Sequence, residues 1–184
     1  MNMAEQMVFS RVTEDNVETF KHTIRLCLFP VGYPKSFFKD VVAGKINAFL
    51  LERKVKEGVV GCMAWREKAD KSEVEILILG LLPLQRRRGY GSKMLEFLLN
   101  NVGAGNELTL HVHVANEDAV AFYRARGFGV AKRVERYYPR LDPTPDAYYM
   151  VLERGEQCRL GIENGVFSDL NAISSQASDD LKWT

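Results

Sequence analysis

Residues 75–97, EILILGLLPLQRRRGYGSKMLEF, contain the pattern that decides the fold. The stretch starts as an apolar strand, crosses a basic turn of the form R-x-x-G-x-G, and continues as a helix. Glycine lets a ligand approach the backbone closely, and a helix N-terminus carries partial positive charge. The turn therefore suits a pyrophosphate, although a tight turn needs glycine whether or not it binds a ligand.

The residues of this turn are the first candidates for a cofactor site. Phosphate contacts are expected from Arg86, Arg87, Arg88, Gly89, Tyr90, Gly91 and Ser92. The usual phosphate fingerprints do not fit. The sequence has no G-x-x-x-x-G-K-[ST], and no G-x-G-x-x-G followed by an acidic residue about 20 positions on.

Length and composition favour one soluble globular domain. The chain has 184 residues, of which 46% are apolar and 27% charged, with a formal net charge of +1. Such a small net charge argues against a dedicated nucleic-acid binder. Residues 1–153 are expected to form the domain, and residues 154–184, rich in Ser, Asp and Gln, a flexible polar tail.

Cysteine usage and the N-terminal sequence favour a cytoplasmic protein, and they are also compatible with a protein that is present in the nucleus. The three cysteines, Cys27, Cys62 and Cys158, are odd in number and lack metal-ligand spacing, which is typical of reduced thiols. The first residues, MNMAEQMVFSR, lack the apolar segment of a signal peptide. No apolar run reaches 18 residues, so we expect no membrane span.

Hydrophobic periodicity predicts the element order β-α-α-β-β-β-α-β-α-β-β, an α/β fold with helices on both faces of a mixed sheet. The predicted strands cover residues 7–12, 46–53, 58–67, 75–82, 107–114, 128–138 and 147–153. The predicted helices cover residues 17–28, 37–43, the segment from the glycine turn to Gly103, and 116–126.

Two of the strands carry polar side chains in apolar surroundings. Strict alternation places Glu75, Leu77, Leu79 and Leu81 on one face of the fourth strand. His111 and His113 share one face of the fifth strand. No third ligand with suitable spacing accompanies them, so a metal is not expected, and a proton carrier or a hydrogen-bonded core histidine is favoured.

The loop Phe29-Pro30-Val31-Gly32-Tyr33-Pro34 cannot continue the first helix, because two prolines and a glycine interrupt it. Its large apolar side chains either fold back onto the core or form the wall of a substrate site.

A second motif places the chain in a known superfamily. Residues 115–128, ANEDAVAFYRARGF, fit N-x-x-A-x-x-F-Y-x-x-x-G-F, and with the R-x-x-G-x-G turn they resemble the GNAT N-acetyltransferases. The resemblance covers roughly residues 7–153 and implies a mixed, mostly antiparallel sheet of about seven strands with about four helices. It also implies acetyl-CoA as co-substrate and no metal.

The GNAT resemblance assigns roles to particular residues. The pyrophosphate of coenzyme A would lie at the glycine turn, and Asn116 and Tyr123 would lie beside the thioester, with Tyr123 as the acid that protonates the departing thiolate. Backbone groups of the fourth strand, at Leu77, Leu79 and Leu81, would flank the same ligand, and an N–H between Leu77 and Leu79 would stabilise the oxyanion.

Within the superfamily the chain is similar to the NatE catalytic subunits, which acetylate protein N-termini that begin with methionine. The matching pieces are Phe29-Pro30-Val31-x-Tyr33, Phe38-Lys39-Asp40-Val41, Leu110-His111-Val112 and Tyr137-Tyr138. The resemblance implies that the peptide is enclosed by Phe29, Pro30, Val31, Tyr33, Leu77, His111, Tyr137, Tyr138 and Leu141. It further implies protein N-termini as substrates, and a NatA-type acetyltransferase complex and the ribosome as partners.

One departure from that family concerns the catalytic base. The family has a tyrosine on the fourth strand that acts with the fifth-strand histidine, and Glu75 stands at its position here. We hypothesise that Glu75 and His111 together deprotonate the amine through an ordered water. The alternative is that Glu75 is a solvated strand-end residue and His111 acts alone.

Other functions stay open at this point. A lysine side chain or a small amine is an alternative acceptor for a GNAT enzyme, although it would favour an acidic groove and a stronger base. A weakly active subunit that docks on a larger ribosome-associated complex is another. A nucleic-acid module built on the arginines is the least favoured, because those arginines are more simply explained as phosphate contacts for coenzyme A.

Overall fold

The computed structural model of the protein describes residues 7–27, 32–54, 58–69, 72–103, 105–138 and 145–153. The strands in this part of the chain are β1 (Met7–Arg11), β2 (Asn47–Arg53), β3 (Gly58–Glu67), β4 (Glu73–Leu81), β5 (Glu107–His113), β6 (Gly129–Val134) and β7 (Ala147–Leu152). The helices are α1 (Val17–Leu26), α2 (Lys35–Val42), α3 (Tyr90–Asn101) and α4 (Glu117–Arg124), with a 3-10 turn at Pro83–Gln85. The element order predicted from the sequence is confirmed.

The strands form one seven-stranded sheet in the order β1-β2-β3-β4-β5-β7-β6. Its neighbouring strands are antiparallel except β4 and β5, which are parallel. Parallel neighbours need a crossover connection, which α3 provides. The mixed, mostly antiparallel α/β fold is therefore as predicted.

Helices cover both faces of the sheet, and each face has its own apolar cluster. On one face α1 and α2 bury Phe20 and Phe37 against β2, β3 and β4. On the other face α3 and α4 bury Met94, Leu98 and Val120 against the same sheet. Each large apolar side chain removed from water contributes roughly 1.5–3 kcal/mol, so the two clusters fix the sheet between its helices.

A β-bulge interrupts β4. Ala64 of β3 pairs with Ile78, and the next β3 residue, Trp65, pairs with Ile76, so that Leu77 is an extra residue in β4.

The bulge changes which face each following side chain meets. Ile76 packs in the cluster under α3 and α4, whereas Leu77 and Ile78 both pack on the α1 and α2 side. Leu79 then packs against the α3 and α4 cluster again. Strict alternation predicts that Glu75, Leu77, Leu79 and Leu81 share one face, and this prediction is wrong. Leu77 packs on the side of α1 and α2, whereas Leu79 and Leu81 pack on the side of α3 and α4. Every residue after the bulge is shifted by one position, and an apolar run such as ILILGL gives no signal of the shift.

At the same point β4 separates from β5. The parallel ladder runs from Glu73 and Glu107 to Ile76 and Leu110 and stops there. From Leu77 onward β4 pairs with no described strand on its β5 side, and the two strands enclose a cleft between them.

The sixth strand is shorter than predicted. It ends at Val134, so Tyr137 and Tyr138 lie in the β6–β7 loop and not at a strand end. The chain leaves the strand through Arg136, which has a left-handed φ of 50°. The Arg136 N–H donates to Asp146 Oδ1 at 2.9 Å, and Arg133 Nε donates to Asp146 Oδ2 at 2.7 Å. The carboxylate of Asp146 therefore fixes the loop that presents the two tyrosines.

No helix among the described residues is both long enough and apolar enough to cross a membrane.

Candidate active site

A cavity of about 190 Å³ fills the cleft between the separating strands. Its walls come from β4, β5, the start of α4, the loop before α2 and the β6–β7 loop. The residues expected at the site from the sequence that line it are Tyr33, Glu75, Leu77, Leu79, His111, Asn116, Tyr123, Tyr137 and Tyr138. The structure thus brings together side chains from five separate parts of the chain.

Other predicted site residues lie elsewhere. Leu81 packs against the α3–α4 core and does not line the cavity. The turn from Arg86 to Ser92 lies beyond the C-terminal end of β4, outside the cavity. Four residues of the proposed peptide site lie outside the described residues: Phe29, Pro30, Val31 and Leu141.

Glu75 and His111 face each other across the start of the cleft. His111 Nδ1 is 3.8 Å from Glu75 Oε1, and both side chains are about one fifth exposed, at 20% and 22%. The distance exceeds a hydrogen bond and is suited to electrostatic interaction or to a bridging water.

Arg66 is a site neighbour that the sequence reasoning missed. It lies opposite Glu75 in the β3–β4 register, and its Nη2 is 2.6 Å from Glu75 Oε2. Finding this pair from the sequence requires the strand register, and the bulge at Leu77 hides that register.

His111 is stacked and partly buried. Its ring lies 4.2 Å from the ring of Tyr137 at an angle of 10°. Burial lowers the pKa of His111 below its ordinary value, while the carboxylate of Glu75 opposes that shift and Lys132 adds to it. A histidine with a lowered pKa is neutral at pH 7 and can accept a proton.

Three tyrosines form the aromatic wall. The hydroxyl of Tyr33 donates to the backbone carbonyl of Leu77 at 3.0 Å, which ties the loop before α2 to the bulge. Burial raises the pKa of Tyr33 and of Tyr137 above their ordinary values, and raises the pKa of Tyr138 to about 12. All three hydroxyls therefore stay protonated near neutral pH and can donate hydrogen bonds.

Tyr123 is the most buried tyrosine of the site. It projects from α4, packs with its ring 5.3 Å from that of Phe128, and is 7% exposed. Burial raises its pKa above the ordinary tyrosine value. Its hydroxyl is therefore a proton donor at neutral pH and not a base.

Asn116 and His113 have structural roles as well as cavity positions. The Asn116 carboxamide oxygen accepts from the Ala119 N–H at 3.2 Å and caps α4. His113 Nδ1 accepts from the Ala115 N–H at 2.9 Å. His113 thus fits the expectation of a hydrogen-bonded histidine. Among the described residues no three His, Cys, Asp or Glu side chains gather into a group that could hold a metal.

The turn after β4 has the features that a diphosphate requires. Gly89 caps α3 with a left-handed φ of 80°, and a Cβ built there would meet nothing within 4 Å. The N–H groups of Gly91 and Ser92 precede the first i→i−4 bond of the helix, which Lys93 donates to Gly89. These amides fit an anionic ligand, so the glycine turn is compatible with the pyrophosphate of coenzyme A.

The arginines of the turn differ in their contacts with the rest of the protein. Arg86 donates to the backbone carbonyls of Leu81 at 3.4 Å and Cys27 at 3.2 Å, so it also ties the end of α1 to the turn. Arg87 and Arg88 are exposed beside the helix N-terminus.

Arg126 adds a further cation that the sequence reasoning missed. Its guanidinium lies 3.6 Å above the ring of Phe122 and donates to Ser92 Oγ at 2.5 Å, in the first turn of α3. The motif F-Y-x-x-x-G-F gives no signal of this contact, because it specifies no residue type at the position of Arg126.

The cavity therefore combines a neutral imidazole, a protonated phenol and an unpaired strand edge, the parts needed for acyl transfer to an amine. Comparison with known proteins supports that chemistry. Residues 14–128 match the acetyltransferase (GNAT) family. N-alpha-acetyltransferase 50 of Danio rerio is 33% identical over 143 residues, which are 76% of this chain and 83% of that protein.

Two further relatives agree. The probable N-acetyltransferase san of Drosophila melanogaster is 31% identical over 143 residues, 76% of this chain and 76% of that one. The structure of Arabidopsis thaliana Naa50 in complex with the bisubstrate analogue CoA-Ac-MVNAL matches with a TM-score of 0.69 and 29% identity, over 80% of this chain and 98% of that chain.

The chain belongs to the acetyltransferase (GNAT) family, and it is an enzyme that uses acetyl-CoA. Within that family its similarity to N-alpha-acetyltransferase 50 confirms the resemblance to NatE catalytic subunits that the sequence motifs indicated.

Proposed function

We propose that this N-alpha-acetyltransferase acts preferentially on protein N-termini that begin with methionine followed by an apolar residue. The observation that carries the proposal is the position of His111 in a cleft walled by Tyr33, Tyr137 and Tyr138. Aromatic walls suit the side chain of an initiator methionine, and tyrosine hydroxyls suit the peptide backbone. The analogue bound to Arabidopsis Naa50 carries the peptide MVNAL, which has this form.

Proton removal from the amine is assigned to His111, with Glu75 beside it. A protein α-amine has a pKa near 8 and must lose a proton before it attacks, so a modest base is sufficient. His111 is neutral at pH 7 because burial lowers its pKa, and it lies 3.8 Å from Glu75. The carboxylate stabilises the imidazolium that forms when His111 takes the proton, directly or through an ordered water.

The remaining chemistry falls to the backbone and to Tyr123. Bound acetyl-CoA supplies the thioester that the amine attacks. The edge of β4 that faces β5 is unpaired from Leu77 onward, and N–H groups between Leu77 and Leu79 can stabilise the developing oxyanion. The protonated Tyr123 hydroxyl can donate to the departing thiolate.

Coenzyme A is assigned to the glycine turn and the face of α4 beside it. The amides of Gly91 and Ser92 and the exposed side chains of Arg87 and Arg88 would hold the phosphates. Asn116 and Tyr123 then line the cavity at the thioester end of the ligand.

The substrate proposal is tested by steady-state acetyl transfer to four peptides. Three have free N-termini that begin Met-Leu, Met-Ala and Ser-Glu, and the fourth is N-blocked and contains one lysine. The expected result is a kcat/KM for Met-Leu at least about 10-fold above Ser-Glu, since one well-buried apolar side chain separates substrates by about that factor. Fastest turnover of the lysine peptide would point to lysine or small-amine acetylation instead. No turnover of any free N-terminus, despite acetyl-CoA binding, would favour a docking subunit.

The proposal extends to partners. We place the enzyme in the cytoplasm, where nascent N-termini would reach it through a NatA-type acetyltransferase complex at the ribosome. The exposed Arg87 and Arg88 are compatible with an anionic neighbour when coenzyme A leaves part of their charge free. Cosedimentation of the purified enzyme with ribosomes, with and without the NatA-type complex, tests this, and no enrichment in either case would contradict it.

A further inference from the structure

Arg66 makes one of the shortest charged contacts in the site, and nothing in the reaction described above requires it. Its guanidinium donates from Nη2 to Glu75 Oε2 at 2.6 Å, which is a short charge-assisted hydrogen bond. The other carboxylate oxygen, Oε1, is the one that lies 3.8 Å from His111 Nδ1. The three side chains therefore form a row from β3 through β4 to β5.

We infer that Arg66 is a positioning residue for acetyl transfer, which holds one oxygen of Glu75 so that the other faces His111. The inference rests on the proposed function, in which His111 receives the amine proton. The row Arg66–Glu75–His111 fixes the carboxylate in one orientation before the substrate binds. Glu75 then acts on the imidazole and not directly on the amine.

The geometry favours this role over a purely structural one. The Arg66 side chain is 56% exposed, and an ion pair that is open to solvent contributes little to stability. Glu75, in contrast, lines the cavity, and among the described residues it forms an ion pair with Arg66 and lies 3.8 Å from the imidazole of His111. Arg66 should therefore affect the rate of acetyl transfer by holding the carboxylate of Glu75, and should affect stability little.

Other charges also act on His111 and must be considered in any titration. Glu75 and Glu73 of β4 favour its protonated form, whereas Lys132 of β6 and burial oppose it. Tyr137, stacked on the ring, remains neutral near pH 7 because burial raises its pKa. Arg66 also opposes the rise in the pKa of Tyr137, but its 2.6 Å contact is with Glu75, so its effect on His111 should pass through Glu75.

The test combines the pH dependence of kcat/KM on a Met-Leu peptide with an NMR titration of the His111 ring. Arg66→Gln leaves the negative charge of Glu75 uncompensated, which should move the acid limb and the His111 titration to higher pH by about half a unit to one unit. The same variant should lower kcat about 3-fold to 10-fold at pH 7, with unchanged acetyl-CoA affinity. Arg66→Lys keeps the charge and should restore most of the titration.

Matched variants separate positioning from a direct effect of charge. Glu75→Gln should move the His111 titration to lower pH, because it removes a negative neighbour. In the double variant Arg66→Gln/Glu75→Gln the loss of Arg66 should add nothing, since coupled residues are not additive. Lys45→Gln removes the exposed pair with Asp40, at 3.4 Å, and should leave both readouts at the wild-type value.

Two results would overturn the inference. One is an unchanged His111 titration in Arg66→Gln. The other is an upward shift of the same size in the Glu75→Gln background, which would mean that Arg66 acts on His111 without Glu75. The titration needs no turnover, so failure of the proposed function, seen as a wild-type enzyme inactive on every free N-terminus, is recognised separately.

Discussion

Burial prepares the proposed base and the proposed acid of the cavity for the two proton transfers of one acetyl transfer. It lowers the pKa of His111, which keeps the imidazole neutral, and it raises the pKa of Tyr123, which keeps the phenol protonated. The base and the acid therefore carry the right protons at the same pH. As the pH falls through the lowered pKa of His111 the rate should fall, whereas no loss due to Tyr123 is expected near neutral pH.

Replacing Tyr123 with phenylalanine tests whether its hydroxyl protonates the departing thiolate. Tyr123→Phe keeps the ring against Phe128 and should leave the fold intact, but it removes the proton donor. We expect kcat to fall at least about 10-fold, which is below the usual contribution of a general acid because a thiolate is a good leaving group. Steady-state kinetics measure this, with Tyr148→Phe on β7, outside the cavity lining, as the control.

A wild-type kcat for Tyr123→Phe would contradict the assignment, and the thiolate would then leave without help from this residue.

Among the elements, the site depends on a bulge, on the separation of β4 from β5 and on two loops that hydrogen bonds hold in place. The bulge at Leu77 coincides with the end of the β4–β5 ladder, so the cleft opens where the sheet loses its regular register. Tyr33 holds the loop before α2 to that bulge by its hydrogen bond to Leu77. Asp146 holds the β6–β7 loop by accepting from Arg133 and Arg136.

The Asp146 contacts yield a prediction about substrate binding. Hydrogen bonds from Arg136 N–H and Arg133 hold the pKa of Asp146 below its ordinary value, so the carboxylate accepts both bonds throughout the neutral range and loses them only in strong acid. Asp146→Asn weakens both, and should raise the KM for a Met-Leu peptide about 3-fold to 10-fold, since a loosened loop must be ordered on binding. The affinity for acetyl-CoA should not change.

Glu135→Gln is the matched control for Asp146→Asn, because Glu135 is an exposed carboxylate in the same loop. Equal changes of KM in the two variants would show that charge, and not the tie to the backbone, is responsible.

The sequence predicted the elements better than it predicted their register. The seven strands and four helices of the described residues follow from periodicity, and the glycine turn and the start of α4 at Asn116 follow from local motifs. The bulge does not, because apolar residues on both sides of Leu77 satisfy either face. Arg66 was missed for the same reason, since its partner Glu75 is found only once the β3–β4 register is known.

The place of Tyr137 and Tyr138 was also misjudged as a strand end. Their pattern is compatible with a strand, and the left-handed turn at Arg136 depends on Asp146, ten residues further along the chain. Contacts between residues distant in sequence leave no local trace, which is why the loop could not be read from its own residues.

For the whole molecule, the described cavity, the glycine turn and both apolar clusters lie within the first 153 residues. We propose that residues 1–153 form the catalytic unit, because the match to the acetyltransferase (GNAT) family ends at residue 128 and the last strand ends at Leu152. A chain that ends at residue 153 should acetylate a Met-Leu peptide with a kcat/KM within about twofold of the full chain, because a sequence rich in Ser, Asp and Gln is not expected to contribute to a packed site. Comparison of the two purified chains measures this.

Loss of acetyl transfer in the shortened chain, while its unfolding transition stays the same, would assign residues 154–184 a part in the site.

The most direct measurement is the single-turnover rate of His111→Ala and of the wild type with acetyl-CoA and a Met-Leu peptide, measured beside the binding of acetyl-CoA. If the α-amine loses its proton to His111 in the β4–β5 cleft, the variant should be slower by at least about 100-fold and should bind acetyl-CoA as tightly as the wild type. Part of the rate should return when imidazole is added. A wild-type rate in His111→Ala would mean that the amine loses its proton to another group and that His111 is not the base.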